Sequence, residues 1–318
     1  MARGKKRRHS KISGKKENEA PKAPRTDRST IVMKNTEWMP VTAVDYYREN
    51  QDIEERLRQI DKTATLVGPF RVLKGESTAV GIDLIMLDRE ATDLPEMQTF
   101  LKCAVGRYAF WRDSPSQEIP MIVFVDLKTV PEVTVVGKEM NHAILDFCEK
   151  SLMFGITKRD KKSVTKAVLN TENDDVLNGI STDAKKFIRI RKFACIGGYE
   201  GWGRILLALE NGMTGYRVLD KEPAALELLL RSLRLVGIRE HEQRVGEIIK
   251  RIFAETMSCN EQGLYKNALE LGHLLFLANK DTINPFMRDL LKVAYTNLGY
   301  LDFIQILELT LEQRDIGF

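Results

Sequence analysis

The sequence predicts an α+β protein in which a β-rich central core, shaped as a sandwich or a barrel, precedes a helical C-terminal region. Short runs rich in Val, Ile, Leu, Phe and Thr lie between residues 64 and 136 and are bounded by Gly, Pro and Asp, as strands are. After residue 222, apolar residues recur at helical spacing. The first 30 residues lack hydrophobic periodicity, which predicts a disordered basic N-terminal arm.

The central region is predicted to contain strands separated by helices. The apolar runs that indicate strands are Ala64–Leu73, Ala79–Leu87, Met121–Leu127 and Glu132–Val136. Runs around Ile82–Leu87 and Ile122–Val125 are apolar at consecutive positions, which indicates strands covered on both faces. The helices predicted around them are Val44–Ile60, Leu94–Ala109 and Lys138–Met153.

The C-terminal third is predicted to be helical throughout. The stretches with helical periodicity are Glu222–Gly237, Glu242–Met257, Gln262–Asn279 and Pro285–Gln313. Asn284 followed by Pro285 is typical of a helix start. These patterns divide the chain into an arm (1–30), an α+β core (31–157), a basic connecting region (158–195) and a helical domain (196–318).

Composition places the chain among globular proteins of the cytosol or nucleus. Apolar residues make up 43% and charged residues 30% of the 318 residues, and no run is long and apolar enough for a membrane span. The N-terminus lacks the apolar segment of a secretory signal. The net charge of +4 is uneven, because residues 1–28 hold eleven Lys or Arg against three acids. The remainder of the chain is therefore slightly acidic.

The arm carries a dense polybasic cluster. It consists of Lys5, Lys6, Arg7, Arg8, Lys15 and Lys16. Such a cluster is typical of a nuclear import signal and equally of an arm that neutralises phosphates. A solubilising tail with no partner is the alternative.

A second basic zone lies between residues 158 and 192. The cations that we single out there are Lys185, Lys186, Arg189, Arg191 and Lys192. Aliphatic and basic residues alternate from Phe187 to Arg191, which on a strand would form a phosphate-contacting strip. The alternative is an ordinary solvated face.

No catalytic, metal or cofactor site is predicted. The cysteines Cys103, Cys148, Cys195 and Cys259 are too widely spaced for a zinc pattern, and the four histidines form no paired-ligand motif. The glycine-rich stretch 197–203 lacks the spacing of a phosphate-binding loop. We therefore expect a binding or assembly protein rather than an enzyme.

The stretch Thr65–Gly155 resembles the thirty-kilodalton superfamily of plant-virus movement proteins. That family's signature is an aliphatic strand ending in Leu-x-Asp, followed by a distant glycine. The positions that match are Met86, Leu87, Asp88, Arg89 and Gly155. In this resemblance Asp88 would cap backbone N–H groups at a strand end and take no part in catalysis.

A second resemblance is to rhabdovirus matrix proteins. It is carried by the segment Asp146–Ile156 and by the lysine-rich arm, because those proteins also begin with such an arm. Together the two resemblances imply a virus of the negative-strand, plant-infecting kind.

These resemblances imply a viral movement protein that binds RNA or nucleocapsid without base specificity and promotes transport through plasmodesmata. The alternatives are a viral matrix or nucleocapsid-associated structural protein, and a cellular RNA-binding protein with a helical interaction domain. The expected partners are RNA or a viral nucleocapsid, an import receptor, a membrane surface at the periphery, and further copies of the chain. The expected locations are the host nucleus and cytoplasm, with the cell periphery or plasmodesmata for a movement protein.

Overall fold

A computed structural model describes residues 38–128, 130–152, 157–195, 217, 228–230, 232 and 239–316. These residues belong to one compact unit that spans Asn35–Phe318. The predicted α+β class is confirmed, with a β-rich middle and a helical C-terminal region. The predicted disordered arm lies outside the described residues, as does most of the predicted helix Glu222–Gly237.

The strands form one antiparallel sheet with the order β1-β2-β3-β4-β5. Their bounds are β1 Thr65–Leu66, β2 Met97–Cys103, β3 Gly106–Trp111, β4 Met121–Asp126 and β5 Val133–Gly137. The predicted strands Met121–Leu127 and Glu132–Val136 are thereby confirmed. In the described part of the chain the core is one meandering sheet covered by helices, not the two facing sheets of a sandwich or a closed barrel.

The predicted helix Leu94–Ala109 is wrong, because this segment contains β2 and most of β3. Every residue of β3 is buried, and so are the first five of β2. A strand that is covered on both faces loses the alternation of apolar and polar residues that marks a strand in a sequence. Gly106, at φ 154°, begins β3 directly after the turn.

The predicted strands Ala64–Leu73 and Ala79–Leu87 are wrong beyond residue 66. Two short helices occupy most of these segments, α3 (Pro69–Leu73) and α4 (Gly81–Met86). Pro69 stands in the first turn of α3, where its fixed φ suits a helix and its missing N–H costs nothing. Apolar runs this short are compatible with a buried helical turn as well as with a strand.

One face of the sheet packs against the N-terminal helices and the helix after β5. These helices are α1 (Val41–Glu49), α2 (Ile53–Arg58) and α5 (Met140–Ser151). Phe100 of β2 and Phe110 of β3 stack with ring centroids 4.4 Å apart at the centre of this apolar cluster. The predicted helix Lys138–Met153 is confirmed, whereas Val44–Ile60 is divided between α1 and α2.

Two charged helices follow, α6 (Lys158–Val168) and α7 (Asp174–Ala194). Asn173 caps α7 by accepting a hydrogen bond from the N–H of Asp175, 2.8 Å away. The strand predicted over Phe187–Arg191 is wrong, because these residues lie in the last two turns of a 21-residue helix. Their two-residue alternation is too short to outweigh the capped helix that contains it.

The C-terminal helices are α8 (Arg239–Glu261), α9 (Tyr265–Ala278), α10 (Asn284–Leu298) and α11 (Leu301–Ile316). The start predicted at Asn284-Pro285 is confirmed. The stretch Pro285–Gln313, predicted as one, is two helices because Gly299 adopts the left-handed conformation (φ 75°) and ends α10.

Helix α9 is the centre of the C-terminal part. Every residue from Lys266 to Ala278 is buried, which is expected for a helix that is surrounded on all sides. His273 of α9 meets the ring of Trp111 in β3 edge to face, with centroids 5.8 Å apart. The C-terminal helices therefore cover the second face of the same sheet.

Gly68 offers a test of this packing. Its φ of 56° is left-handed, and a Cβ there would stand 2.4 Å from the carbonyl oxygen of Thr99. We expect Gly68→Ala to lower the free energy of unfolding by about 3 kcal/mol. In the matched variant Gly179→Ala, in the interior of α7, the new Cβ meets no atom within 4 Å. That change should raise stability by about 0.5–1 kcal/mol. Urea unfolding measures the change in the free energy of unfolding in both variants. Equal changes would contradict the close packing around Gly68.

Candidate functional site

A buried carboxylate joins the sheet to the C-terminal helices. Glu96, immediately before β2, is 4% exposed. Its Oε1 accepts a hydrogen bond from the Tyr295 hydroxyl (2.7 Å) and lies 2.9 Å from His273 Nε2. Burial alone would raise the pKa of Glu96, but the His273 charge and the two hydrogen bonds outweigh burial and hold that pKa below its usual value. Glu96 is thus an ionised anchor inside the protein.

A second buried network lies beside it. Asp93 is fully buried and accepts hydrogen bonds from Arg107 Nε (2.7 Å) and Thr99 Oγ1 (2.7 Å). Arg89 donates to three main-chain oxygens, those of Asp93, Leu94 and Met97. The turn before β2 is therefore held by two guanidinium groups.

Arginines also tie the helices to the rest of the core. Arg112, after β3, lies over the Trp38 ring at 4.5 Å and donates to the Trp38 carbonyl oxygen at 2.9 Å. Arg314 of α11 lies over the Phe276 ring at 3.9 Å and donates to the Ala91 carbonyl oxygen. Arg112 is buried and Arg314 is half-buried, and both contacts pack the helices against the rest of the core.

Near the end of α7, polar groups approach the surface. Arg191 makes a two-pronged ion pair with Asp113, at 2.7 and 2.5 Å. Lys266 is buried nearby, and that burial lowers the pKa of its amine. Burial also raises the pKa of the adjacent Cys195 thiol to about 11, so this cysteine stays protonated at neutral pH.

Arg217 is an exposed cation whose main chain is held by a buried side chain of the C-terminal part. Asn267, in the first turn of α9, clasps its backbone: the Arg217 N–H donates to Asn267 Oδ1 (2.9 Å), and Asn267 Nδ2 donates to the Arg217 carbonyl oxygen (2.6 Å). Asn267 itself is fully buried. The Arg217 side chain is 47% exposed and lies 3.9 Å from Glu255 of α8. A buried amide thus fixes the main chain, and the half-exposed side chain lies beside Glu255.

The turn between α8 and α9 adjoins this clasp. Gly263, at φ 80°, and Leu264 close the end of α8, and the Leu264 carbonyl accepts the N–H of Asn267. Glu261 and Gln262, just before it, are exposed. We define Arg217, Asn267 and residues 261–264 as the clasp surface. An arginine guanidinium is suited to recognise a carboxylate or a phosphate.

Among residues that the structure describes, no three or more His, Cys, Asp or Glu side chains are grouped to hold a metal ion. Among the described helices, none has the length and apolar character needed to cross a membrane.

The structure separates the residues of the predicted Leu-x-Asp motif. Met86 ends α4, Leu87 follows it, and Asp88 adopts a left-handed conformation with φ 57°. Asp88 accepts a hydrogen bond from the Gly68 N–H (2.9 Å) and pairs with Arg71 (3.0 Å). It therefore stands after a helix, not at the end of a strand. Arg89 is buried in the network above, and Gly155 lies outside the described residues.

The predicted basic residues are likewise distributed. Lys5, Lys6, Arg7, Arg8, Lys15 and Lys16 lie outside the described residues. Four others are exposed on α7, namely Lys185, Lys186, Arg189 and Lys192. Arg191 is 8% exposed because it faces Asp113, so it does not share the exposed face.

The model of the family Histone PARylation factor 1 matches residues 26–314. The chain belongs to this family. No individual curated protein matches it. The family match includes the sheet, the buried network and the clasp surface.

The viral assignments are therefore wrong. A match over residues 26–314 to histone PARylation factors replaces a loose motif over less than a third of the chain. The strand pair that carried the movement-protein motif is moreover largely helical. Neither the movement function nor the matrix alternative stands. The cellular alternative agrees better with the family.

The partners and locations change accordingly. The expected partners RNA or viral nucleocapsid and an import receptor do not agree with this family, whose name indicates histones. Contact with a membrane surface and with further copies of the chain stays a prediction. A nuclear location agrees with this family, whereas plasmodesmata and the cell periphery do not. The expectation that the chain is not an enzyme agrees in part with the family, because the family name describes a factor.

Sequence analysis missed Arg217, Asn267 and Glu96. One signal was present: Lys266, Asn267, Glu270 and His273 interrupt a stretch that is otherwise strongly apolar. Polar side chains in a fully buried helix need partners, and this requirement points to contacts far away in the sequence.

Tyr295 tests the role of the Glu96 anchor. Tyr295→Phe removes a hydrogen bond to a buried carboxylate and should lower the free energy of unfolding by about 2 kcal/mol. Tyr300→Phe is the matched control, because the described residues provide no hydrogen-bond partner for that hydroxyl. The control should change stability by less than about 0.5 kcal/mol. Thermal and urea unfolding measure both, and an unchanged Tyr295→Phe protein would contradict an ionised anchor.

Proposed function

We propose that this protein is a nuclear accessory factor that enables a poly(ADP-ribose) polymerase to modify histones. The observation that carries the proposal is the match of residues 26–314 to the histone PARylation factors. PARylation transfers ADP-ribose units from NAD⁺, and the polymerase is the enzyme that binds this donor. The chain itself acts as a partner of that enzyme, not as an independent catalyst.

The clasp surface is the part of the described structure best suited to this partnership. The main chain of Arg217 is held by two hydrogen bonds to a buried side chain, so this backbone segment need not be ordered on binding. Arginine anchors of this kind dominate many protein interfaces. We propose that Arg217 binds an acidic group of the polymerase.

Reconstitution tests this function. Recombinant polymerase, activating DNA, labelled NAD⁺ and histones are mixed with and without the full chain, and label on histones is measured. Histone labelling should rise strongly with the chain present, and the chain with NAD⁺ and histones alone should transfer none. Equal histone labelling with and without the chain would refute the proposal.

Within this assay Arg217→Ala should reduce histone labelling about tenfold or more, since an anchored charge pair is lost. Arg251→Ala is the matched control, because Arg251 is an exposed arginine of α8 outside the clasp surface. It should retain full activity. The affinity of each variant for the polymerase, measured by calorimetry, should follow the same order as its histone labelling. Loss of labelling with unchanged binding would place Arg217 in a role other than contact with the enzyme.

A further inference from the structure

A groove lies between the C-terminal half of α7 and the loop that joins β3 to β4. Its volume is about 380 Å³, within the roughly 300–1,000 Å³ of ligand-binding pockets. Ile119, Pro120 and Met121 form one wall, and Phe187 and Ile190 form the other. The groove is thus largely apolar, and it contains none of the clasp-surface residues.

Large apolar side chains stand unusually exposed around this groove. Ile119 is 62% exposed, Ile190 is 57% exposed, and Phe193, one turn beyond Ile190 on α7, is 85% exposed. Contiguous exposed apolar groups on a folded protein mark interaction sites. The last two turns of α7 therefore present an apolar stripe that nothing in the described structure covers.

A basic stripe runs beside the apolar one. From residue 184 to the end of α7 at residue 194 the helix has five cations and no acid. Arg191 is paired with Asp113. The other four are exposed and take part in no ion pair within the described ranges: Lys185, Lys186, Arg189 and Lys192.

The stability of α7 explains only part of this charge. Arg191 and Lys192 lie in the last turn, where cations interact favourably with the helix dipole. Lys185, Lys186 and Arg189 lie before that turn and gain little from it. The helix dipole also gives no reason for an exposed Phe193.

We propose that this groove and the basic stripe of α7 bind an acidic peptide segment that carries a bulky apolar side chain. The apolar side chain enters the groove between Ile119 and Ile190, and flanking carboxylates meet Lys185 and Arg189. Charge complementarity selects an acidic partner. Phe187 is the single aromatic side chain among the described residues that line the groove, whereas single-stranded nucleic acid is bound by a row of aromatic side chains on which its bases stack. The lining therefore favours a peptide. This surface is separate from the clasp surface and does not depend on the proposed function.

Peptide selection tests the proposal. Random peptides displayed on phage are selected on the full-length chain, and enriched peptides are synthesised and titrated by fluorescence anisotropy. We expect enriched peptides to combine Asp or Glu with a central Phe, Leu or Ile. Their Kd should rise about tenfold or more in Ile190→Ala/Phe193→Ala and in Lys185→Glu/Arg189→Glu.

Two matched variants serve as controls. Val176→Ala changes an exposed apolar residue in the first half of α7, and Arg251→Glu reverses a charge on α8. Both should leave Kd within about twofold. The proposal is overturned if no acidic apolar motif is enriched, or if the selected peptides bind both double variants as tightly as the parent. It is also overturned if a single-stranded oligonucleotide displaces the peptides and binds more tightly through the same residues.

Discussion

The fold depends on keeping one carboxylate ionised away from water. An unpaired buried charge is too costly to persist, so Glu96 requires donors, and it receives them from Tyr295 of α10 and His273 of α9. Both donors lie more than 170 positions further along the chain. The carboxylate therefore specifies how the C-terminal helices sit on the sheet. A purely apolar interface would specify that orientation less sharply.

The clasp surface depends on the same packing of the C-terminal helices. Helix α9 is buried along its length between the sheet and its neighbouring helices, and the same helix supplies His273 to the core and Asn267 to Arg217. The position of the clasp surface therefore depends on how α9 packs. The scaffold thus fixes the main chain from which the Arg217 side chain extends.

The elements that can be predicted from the sequence are those determined by patterns within a single segment. Strands β4 and β5, helix α5 and the C-terminal helices follow from apolar patterns and end signals within each segment. Strands β2 and β3 do not follow from such patterns, because burial on both faces removes the alternation of apolar and polar residues that marks a strand. The Glu96 cluster and the clasp join residues far apart in sequence. The polar residues of α9 indicate that partners are needed but do not identify them, and the loose Leu-x-Asp motif led to the wrong family.

Native-state hydrogen exchange tests most directly whether sheet and helices form one body around Glu96. Amides of β3 and of α9 should exchange through the same global opening, with equal free energies and equal dependence on denaturant. If the amides of α9 exchange at a clearly lower free energy while those of β3 stay protected, sheet and helices do not form one body around Glu96. The C-terminal helices would then be a separate unit that merely rests on the sheet.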